Sequence, residues 1–346
     1  MSGLVAKLPR VVIFVTGQTN TAASIVSTSV FTAFMGQEVK PLTVKQGNTN
    51  LDTVFDVKVS DDGRYAAFLY VQRTALTTPV QTFGVFVLSL RERIVQTIRL
   101  MGSVDSYAWQ PSGETLAIRY RNEDQTKFGF YNPQNGSLSS WRAEGVSSWV
   151  WCGPKAASVL CLDARHNVVE RAVKDGSVQH QWNVPKPIKE QTNILPALIA
   201  SPDRKSILLV DFNAIYLCNM PPGKWVAVVK TEASLQPTTV RWSPDGKWLC
   251  YESIVFKKTK SPDDETIHDV LLVPTKPPFL ARSLFSWVER EYAYVPIDWS
   301  LDSSSLFVLQ RSYTKCSFLT SWSQRDASNS VVCAVDGFVM SAALAR

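Results

Sequence analysis

The sequence predicts an all-β fold of repeated antiparallel hairpins, and three observations support this prediction. The chain has 346 residues and is 11% aromatic but only 19% charged, which suits half-buried strands. A tight turn between two apolar strands occurs six times, at intervals of 42 to 57 residues. Such intervals match the four-stranded blades of a β-propeller.

The repeated turn combines residue types with separate roles. In Ser243-Pro244-Asp245-Gly246, proline holds φ at about −65°, aspartate bonds to the backbone and glycine accepts a positive φ. The residue that ends the turn is Gly63, Gly113, Lys155, Arg204, Gly246 or Ser303.

A tryptophan precedes four of the six turns. The four are Trp109, Trp151, Trp242 and Trp299, and Val59 and Ala200 take the same place in the other two. A large aromatic side chain that recurs at one position is typical of packing between neighbouring repeats. We therefore expect these tryptophans in the core rather than against a cofactor.

The turns resemble the Ser-Pro-Asp-Gly turns of TolB-like and WD-type β-propeller repeats. The resemblance extends from about residue 54 to about residue 310, closest at 242–251 and loosest at 151–155. The Gly-His and Trp-Asp dipeptides of WD repeats are absent, so the TolB-like description fits better. The resemblance implies a propeller fold and no particular activity.

Counting strands predicts a single propeller domain over residues 1–346 with seven four-stranded blades, six or eight being the alternatives. Residues of about 9–46 form strands without a preceding turn motif, and about 330–337 hold one further strand, centred on Val331 to Val335. An open edge strand promotes aggregation. We therefore expect this C-terminal strand to complete the N-terminal blade and to close the ring.

Linear motifs of catalysis are missing from the sequence. It contains no G-x-S-x-G, no phosphate-binding glycine loop and no dinucleotide fingerprint. His166, His180 and His268 are scattered, and we interpret each as a surface or loop residue. No catalytic residue, metal site or cofactor is expected.

Cysteine usage and charge favour an intracellular protein. None of the six cysteines forms a C-x-x-C pair, and most lie in apolar runs, so we expect buried free thiols. The net charge of +6 is mild and supports nucleic-acid binding only weakly. No apolar run is long enough for a membrane span. The predicted location is cytoplasmic, with nuclear, periplasmic or secreted locations as alternatives.

A polar insertion at about 257–268 is the best candidate for a binding loop. A rigid scaffold commonly presents its binding residues on loops, and the candidate partner-binding residues are Lys257, Lys258, Lys260, Asp263, Asp264 and Glu265.

These features favour a non-enzymatic scaffold that binds protein or peptide partners within a larger complex. The alternatives are a propeller enzyme or carbohydrate-binding protein with its site at the central channel, and an RNA-associated scaffold. Several Asp, Glu, Arg or His side chains converging on the channel would favour the enzyme.

Overall fold

The fold is all-β in the part of the chain that the computed structural model describes. Those residues are 11–19, 25–33, 40–41, 54–73, 81–100, 102–153, 156–165, 167–184, 196–220, 223–257, 265–288, 292–312, 316–335 and 338–345. Their single helical element is a 3₁₀ turn at Pro237–Thr239. Among them, no helix has the length and hydropathy needed to cross a bilayer.

Six antiparallel sheets are each built from consecutive strands, and we call them blades I to VI. Blade I comprises β4 (Val54–Val59), β5 (Tyr65–Arg73), β6 (Gln81–Ser89) and β7 (Val95–Arg99). Blade II comprises β8 (Ser103–Trp109), β9 (Leu116–Asn122), β10 (Gln125–Asn132) and β11 (Ser137–Arg142). Blade III comprises β12 (Val146–Cys152), β13 (Ser158–Asp163), β14 (Asn167–Ala172) and β15 (Val178–Asn183).

Blades IV to VI follow the same plan. Blade IV comprises β16 (Ala197–Ala200), β17 (Ser206–Val210), β18 (Ala214–Asn219) and β19 (Val226–Lys230). Blade V comprises β20 (Ser234–Leu235), β21 (Arg241–Trp242), β22 (Trp248–Lys257), β23 (Glu265–Pro274) and β24 (Arg282–Val288). Blade VI comprises β25 (Tyr292–Trp299), β26 (Ser305–Ser312), β27 (Ser317–Ser323) and β28 (Asn329–Val335).

A further sheet joins strands from the two ends of the chain, and we call it the composite sheet. It contains β1 (Val11–Thr19), β2 (Ile25–Ala33), β3 (Lys40–Pro41) and β29 (Phe338–Ala345), with β29 antiparallel to β1. The expectation that 331–335 pairs with the N-terminal strands is wrong, because those residues belong to β28 and pair with β27. Seven blades were expected, and the structure shows six that are built from consecutive strands.

The hydrophobic core lies between sheets, as the repeated tryptophans predicted. Ile13 and Val15 of the composite sheet pack with Val54 and Phe68 of blade I. On its other side the composite sheet contributes Val339 to a cluster with blade VI. The four repeated tryptophans are at most 9% exposed. Their role in packing is therefore confirmed.

Serine and aspartate hold the repeated turns together. Ser243 Oγ donates to Asp245 Oδ1 at 2.6 Å, and that oxygen also accepts from the backbone N–H of Lys247 at 3.1 Å. The same pairing occurs at Ser60/Asp62, Ser201/Asp203 and Ser300/Asp302.

The residue after the aspartate has a positive φ in all four of these turns, including Arg204 at 59° and Ser303 at 61°. In the loosest repeat Gly153 has the positive φ, while Lys155 lies outside the described residues.

All six cysteines are free thiols. Cys152, Cys161, Cys218 and Cys250 are buried, whereas Cys316 and Cys333 are partly exposed. Burial raises the pKa of Cys161 to about 12, so this thiol stays protonated and unreactive at neutral pH.

Candidate functional site

A large cavity lies where the first strands of several blades meet, and we call it the channel cavity. Its volume is about 960 Å³, within the range of small-molecule sites. Its walls come from β4, β8, β21, β22, β23, β25, β26 and β29 together with the 3₁₀ turn of blade V. The charged or titratable side chains that line it are Asp56, Lys58, Asp61, Arg241, Glu252, His268, Asp298 and Arg311.

Charge is concentrated on one side of the channel. The residues immediately before the repeated tryptophan position are Lys58, Arg241 and Asp298 in blades I, V and VI, but Ala108, Val150 and Ile199 in blades II, III and IV. Equivalent positions therefore provide charged groups in blades I, V and VI, which form what we call the charged half of the channel, and apolar groups in blades II, III and IV.

A carboxylate–imidazole pair lines the charged half. Glu252 Oε1 lies 2.7 Å from His268 Nδ1, and the two residues are only 6% and 9% exposed. The ring of Trp287 stacks on the imidazole with centroids 4.8 Å apart. The carboxylate and the stacked indole orient the imidazole, and such a pair can take up and return a proton.

The pair reaches the cavity because the first strand of blade V is interrupted. The 3₁₀ turn at Pro237–Thr239 separates β20 from β21, so side chains of the second and third strands line the cavity there. Thr239 Oγ1 accepts a hydrogen bond from the backbone N–H of Glu252 at 3.3 Å, which ties the turn to the strand behind it. The interruption of the first strand therefore lets the carboxylate–imidazole pair reach the cavity.

Three cationic side chains connect neighbouring sheets around the channel. Lys58 Nζ donates to Tyr107 O at 2.8 Å, Arg241 Nε to Ile297 O at 2.9 Å and Arg311 Nη2 to Met340 O at 2.6 Å. Burial lowers the pKa of Lys58, the charge of Arg241 lowers it further, and Asp56 opposes both. Burial also lowers the pKa of Arg241, against the charge of Asp298.

Two aspartates present carboxylates to the same cavity. Asp56 Oδ1 accepts from the backbone N–H of Val57 at 2.9 Å and from Ser341 Oγ at 2.7 Å. Asp298 Oδ1 accepts from the backbone N–H of Trp299 at 2.8 Å. These bonds fix the carboxylates beside the channel. No group of three or more metal-ligating side chains occurs among the described residues.

The insertion predicted from the sequence lies on a long hairpin of blade V. Lys257 ends β22 and pairs with Glu265 at the start of β23. Lys258, Lys260, Asp263 and Asp264 lie outside the described residues. Their role in partner binding therefore stays a prediction.

Sequence reasoning missed the residues of the channel. His268 was expected at the surface, but it is buried against Glu252, because β22 and β23 pair along ten residues. His180 does lie at the surface, and His166 is outside the described residues. Glu252 could have been found, since a charged residue inside an apolar strand is rarely buried without a partner.

Comparison with known proteins finds similarity in structure only. No family model and no curated protein matches the sequence. A Bacteroides uniformis protein provisionally assigned as a 6-phosphogluconolactonase aligns with a TM-score of 0.59 and 9% identity, over 96% of this chain and 99% of its own. The periplasmic gluconolactonase of Pseudomonas aeruginosa aligns with a TM-score of 0.58 and 13% identity, over 95% and 97%. TolB from Acinetobacter baumannii aligns with a TM-score of 0.56 and 11% identity, over 99% and 68%.

These similarities confirm the TolB-like propeller fold, and at such identities they show the fold alone. The interpretation as a non-enzymatic scaffold is corrected, because two of these structures carry the names of enzymes. The channel cavity also favours the enzyme alternative, because acidic and basic side chains from several strands line it.

Proposed function

We propose that this protein is a propeller enzyme that hydrolyses a sugar-acid lactone in the channel cavity. One observation carries the proposal: the buried Glu252–His268 pair, 2.7 Å apart, lines a cavity together with cations and carboxylates from other blades. The lactonase names of two structural neighbours support the same class of substrate. The proposal replaces the scaffold interpretation with its enzyme alternative.

The proposed reaction gives each group a role. His268, oriented by Glu252, accepts a proton from water as the water oxygen attacks the lactone carbonyl. The ring C–O bond then breaks, and the proton returns to the departing oxygen to yield the open-chain acid. Lys58 and Arg241 supply positive charge where the carbonyl oxygen becomes negative. Asp56 and Asp298 accept hydrogen bonds from sugar hydroxyls.

We also propose that the composite sheet acts as a seventh blade and closes the ring, so that the whole chain is one toroid. Its packing against blade I through Ile13 and Val15, and against blade VI through Val339, supports this closure. A closed ring gives the channel a continuous wall. Arg311 and Ser341 would then lie side by side in that wall, since Arg311 Nη2 donates to the carbonyl of the neighbouring Met340.

Proton release from gluconolactone and 6-phosphogluconolactone tests the proposed hydrolysis. Assays at slightly acidic pH keep spontaneous hydrolysis slow, and the spontaneous rate is subtracted. We expect turnover by the wild-type protein, with losses of about 10²-fold or more in Glu252→Gln and His268→Gln.

The matched control is His180→Gln, because His180 forms a similar pair with Glu170 at 3.0 Å but its side chain is 65% exposed. This variant should keep wild-type rates, and melting curves should confirm that all three variants fold. Absence of wild-type turnover on both lactones would refute the hydrolase. Binding of sugar acids without turnover would refute it as well and would favour the carbohydrate-binding alternative.

A further inference from the structure

The charged side chains that line the channel cavity nearly cancel in formal charge. Among the described residues the wall holds four carboxylates, three permanent cations and one imidazole. The carboxylates belong to Asp56, Asp61, Glu252 and Asp298, and the cations belong to Lys58, Arg241 and Arg311. The formal charge of the wall is therefore −1 when the imidazole of His268 is neutral and zero when it is protonated. A cavity that selects anions carries a positive charge instead.

Each of the three cations already donates hydrogen bonds to the protein. Lys58, Arg241 and Arg311 each donate to a main-chain carbonyl of a neighbouring sheet. Arg241 Nη1 makes two more such bonds, to Thr238 O at 2.6 Å and to Val240 O at 2.9 Å. The donors of these side chains are therefore shared with the wall and are not reserved for a bound anion.

Two of the cations also feel the charge of a nearby carboxylate. Burial is the largest effect on Lys58 and lowers its pKa, while the charge of Asp56 acts in the opposite direction. Burial likewise lowers the pKa of Arg241, against the charge of Asp298. A dianionic phosphate drawn to either cation would meet one of these carboxylates. Like charges that approach one another in a site sheltered from water repel strongly.

Sugar hydroxyl groups suit a wall of this kind. A hydroxyl group donates one hydrogen bond and accepts others, so it can bridge a carboxylate such as Asp56 and a cation such as Lys58. A phosphate monoester at neutral pH offers mainly acceptors and carries up to two negative charges. The cations attract it and the carboxylates repel it. The wall therefore favours hydroxyl-rich uncharged molecules over phosphorylated ones.

We infer that the channel cavity selects uncharged sugars over phosphorylated ones, so that the substrate of the proposed hydrolysis is a neutral sugar lactone. The reaction rests on the proposed function, whereas the preference rests on the charges and hydrogen bonds of the cavity wall. A neutral lactone brings hydroxyl groups for the carboxylates and a carbonyl oxygen for Lys58 and Arg241. Hydrolysis then creates a carboxylate, which the carboxylates of the wall repel, and this repulsion favours release of the product.

The ratio of kcat/KM for gluconolactone to that for 6-phosphogluconolactone tests the preference on the full-length protein. We expect a ratio of about ten or more, because like charges brought together in a binding site cost several kcal/mol. Added salt should lower the ratio, since it screens the repulsion of the phosphate. A ratio of one or less, or a ratio that rises with salt, overturns the inference.

Asp61→Asn tests whether the carboxylates of the wall cause the preference. Asp61 lines the cavity and has no role in the proposed hydrolysis. Its replacement removes one negative charge, and we expect the ratio to fall about threefold or more. Asp124→Asn makes the same change of charge at an exposed position between β9 and β10 and should leave the ratio unchanged. Equal ratios in the two variants overturn the inference.

Binding of glucose and glucose 6-phosphate separates this inference from the proposed hydrolysis. The two sugars differ only in the phosphate, and titration calorimetry measures their dissociation constants. If neither lactone is turned over, the hydrolysis fails and these constants decide the preference alone. Glucose that binds about tenfold more tightly than glucose 6-phosphate then supports the inference. Glucose 6-phosphate that binds as tightly as glucose, or no binding of glucose, then overturns it.

Discussion

Ser341 Oγ donates a hydrogen bond to Asp56 Oδ1 at 2.7 Å, although the two residues are 285 positions apart in the chain. The same hydroxyl oxygen accepts from the backbone N–H of Val57 at 3.3 Å. Ser341 belongs to β29 of the composite sheet, and Asp56 belongs to β4 of blade I. The bond thus joins the last strand of the chain to the charged half of the channel.

Replacement of Ser341 by alanine should destabilise the protein by about 2 kcal/mol, because a carboxylate loses a hydrogen bond. Urea unfolding measures the change. Ser330→Ala on the outer strand β28 is the control, since Ser330 is exposed, and we expect it to stay within about 0.5 kcal/mol of wild type. Equal effects of the two substitutions would show that the Ser341–Asp56 bond contributes nothing to the stability of the protein.

Removal of residues 338–346 should lower the melting temperature severely while leaving β28 in place. Strand β29 pairs with β1 along its length, and Val339 is fully buried. Without β29, strand β1 becomes an edge and the clusters on both sides lose side chains. A synthetic peptide of residues 338–346 should restore much of the lost stability. A truncated protein that melts like the full chain would contradict the proposed closure of the ring by β29.

The sequence predicted the repeated blades but chose the wrong C-terminal strand to pair with the N-terminal strands, for an identifiable reason. Val331 to Val335 are rich in β-branched residues and look like a strand in isolation. The true partner of β1 includes Met340-Ser341-Ala342-Ala343-Leu344, residues with high helix propensity for the most part. Pairing with β1 and burial between two sheets override that propensity, and neither can be read from a local window.

The site shows the same division between local and non-local information. Lys58, Arg241 and Asp298 occupy equivalent positions before the repeated tryptophan, so alignment of the repeats could have identified them as neighbours around a ring. Glu252 and His268 could not be joined in this way. Their contact depends on the register that places Ile254 opposite His268 and on the interruption of the first strand of blade V.

Acid should weaken the repeated turns. The hydrogen bond from Ser201 lowers the pKa of Asp203, burial opposes this, and the backbone N–H of Lys205 lowers the pKa further. A folded pKa below the unfolded value of about 3.9 stabilises the fold above that pH, and the contribution is lost as pH falls through the folded pKa. Asp62, Asp245 and Asp302 show the same direction of shift.

Asp203→Asn should therefore be less stable than wild type at pH 7, and the difference should shrink as the pH falls below about 4. Denaturant unfolding at a series of pH values measures it. Asp124→Asn, an exposed position between β9 and β10, serves as the control. Suppose instead that Asp203→Asn is less stable than wild type by the same amount from pH 7 to pH 2. The charge of the turn carboxylate would then contribute nothing to stability.

Two tryptophans at the equivalent position allow the hydrogen bond between blades to be separated from packing. Trp151 Nε1 donates to Ala108 O of the preceding blade at 3.2 Å. Trp299 Nε1 has no hydrogen-bond partner among the described residues. The two residues are 2% and 1% exposed, so substitution by phenylalanine removes similar volume from similar surroundings.

We expect Trp151→Phe to be more destabilising than Trp299→Phe by about 1 kcal/mol, the net value of one such bond. Both substitutions leave a cavity, and the cavity contribution largely cancels in the difference. Trp151→Phe also leaves the carbonyl of Ala108 without its indole donor, which acts in the same direction. Chemical denaturation of both variants measures the difference. Equal losses, or a larger loss at Trp299, would mean that the aromatic rings alone hold successive blades together and that the indole N–H groups contribute nothing.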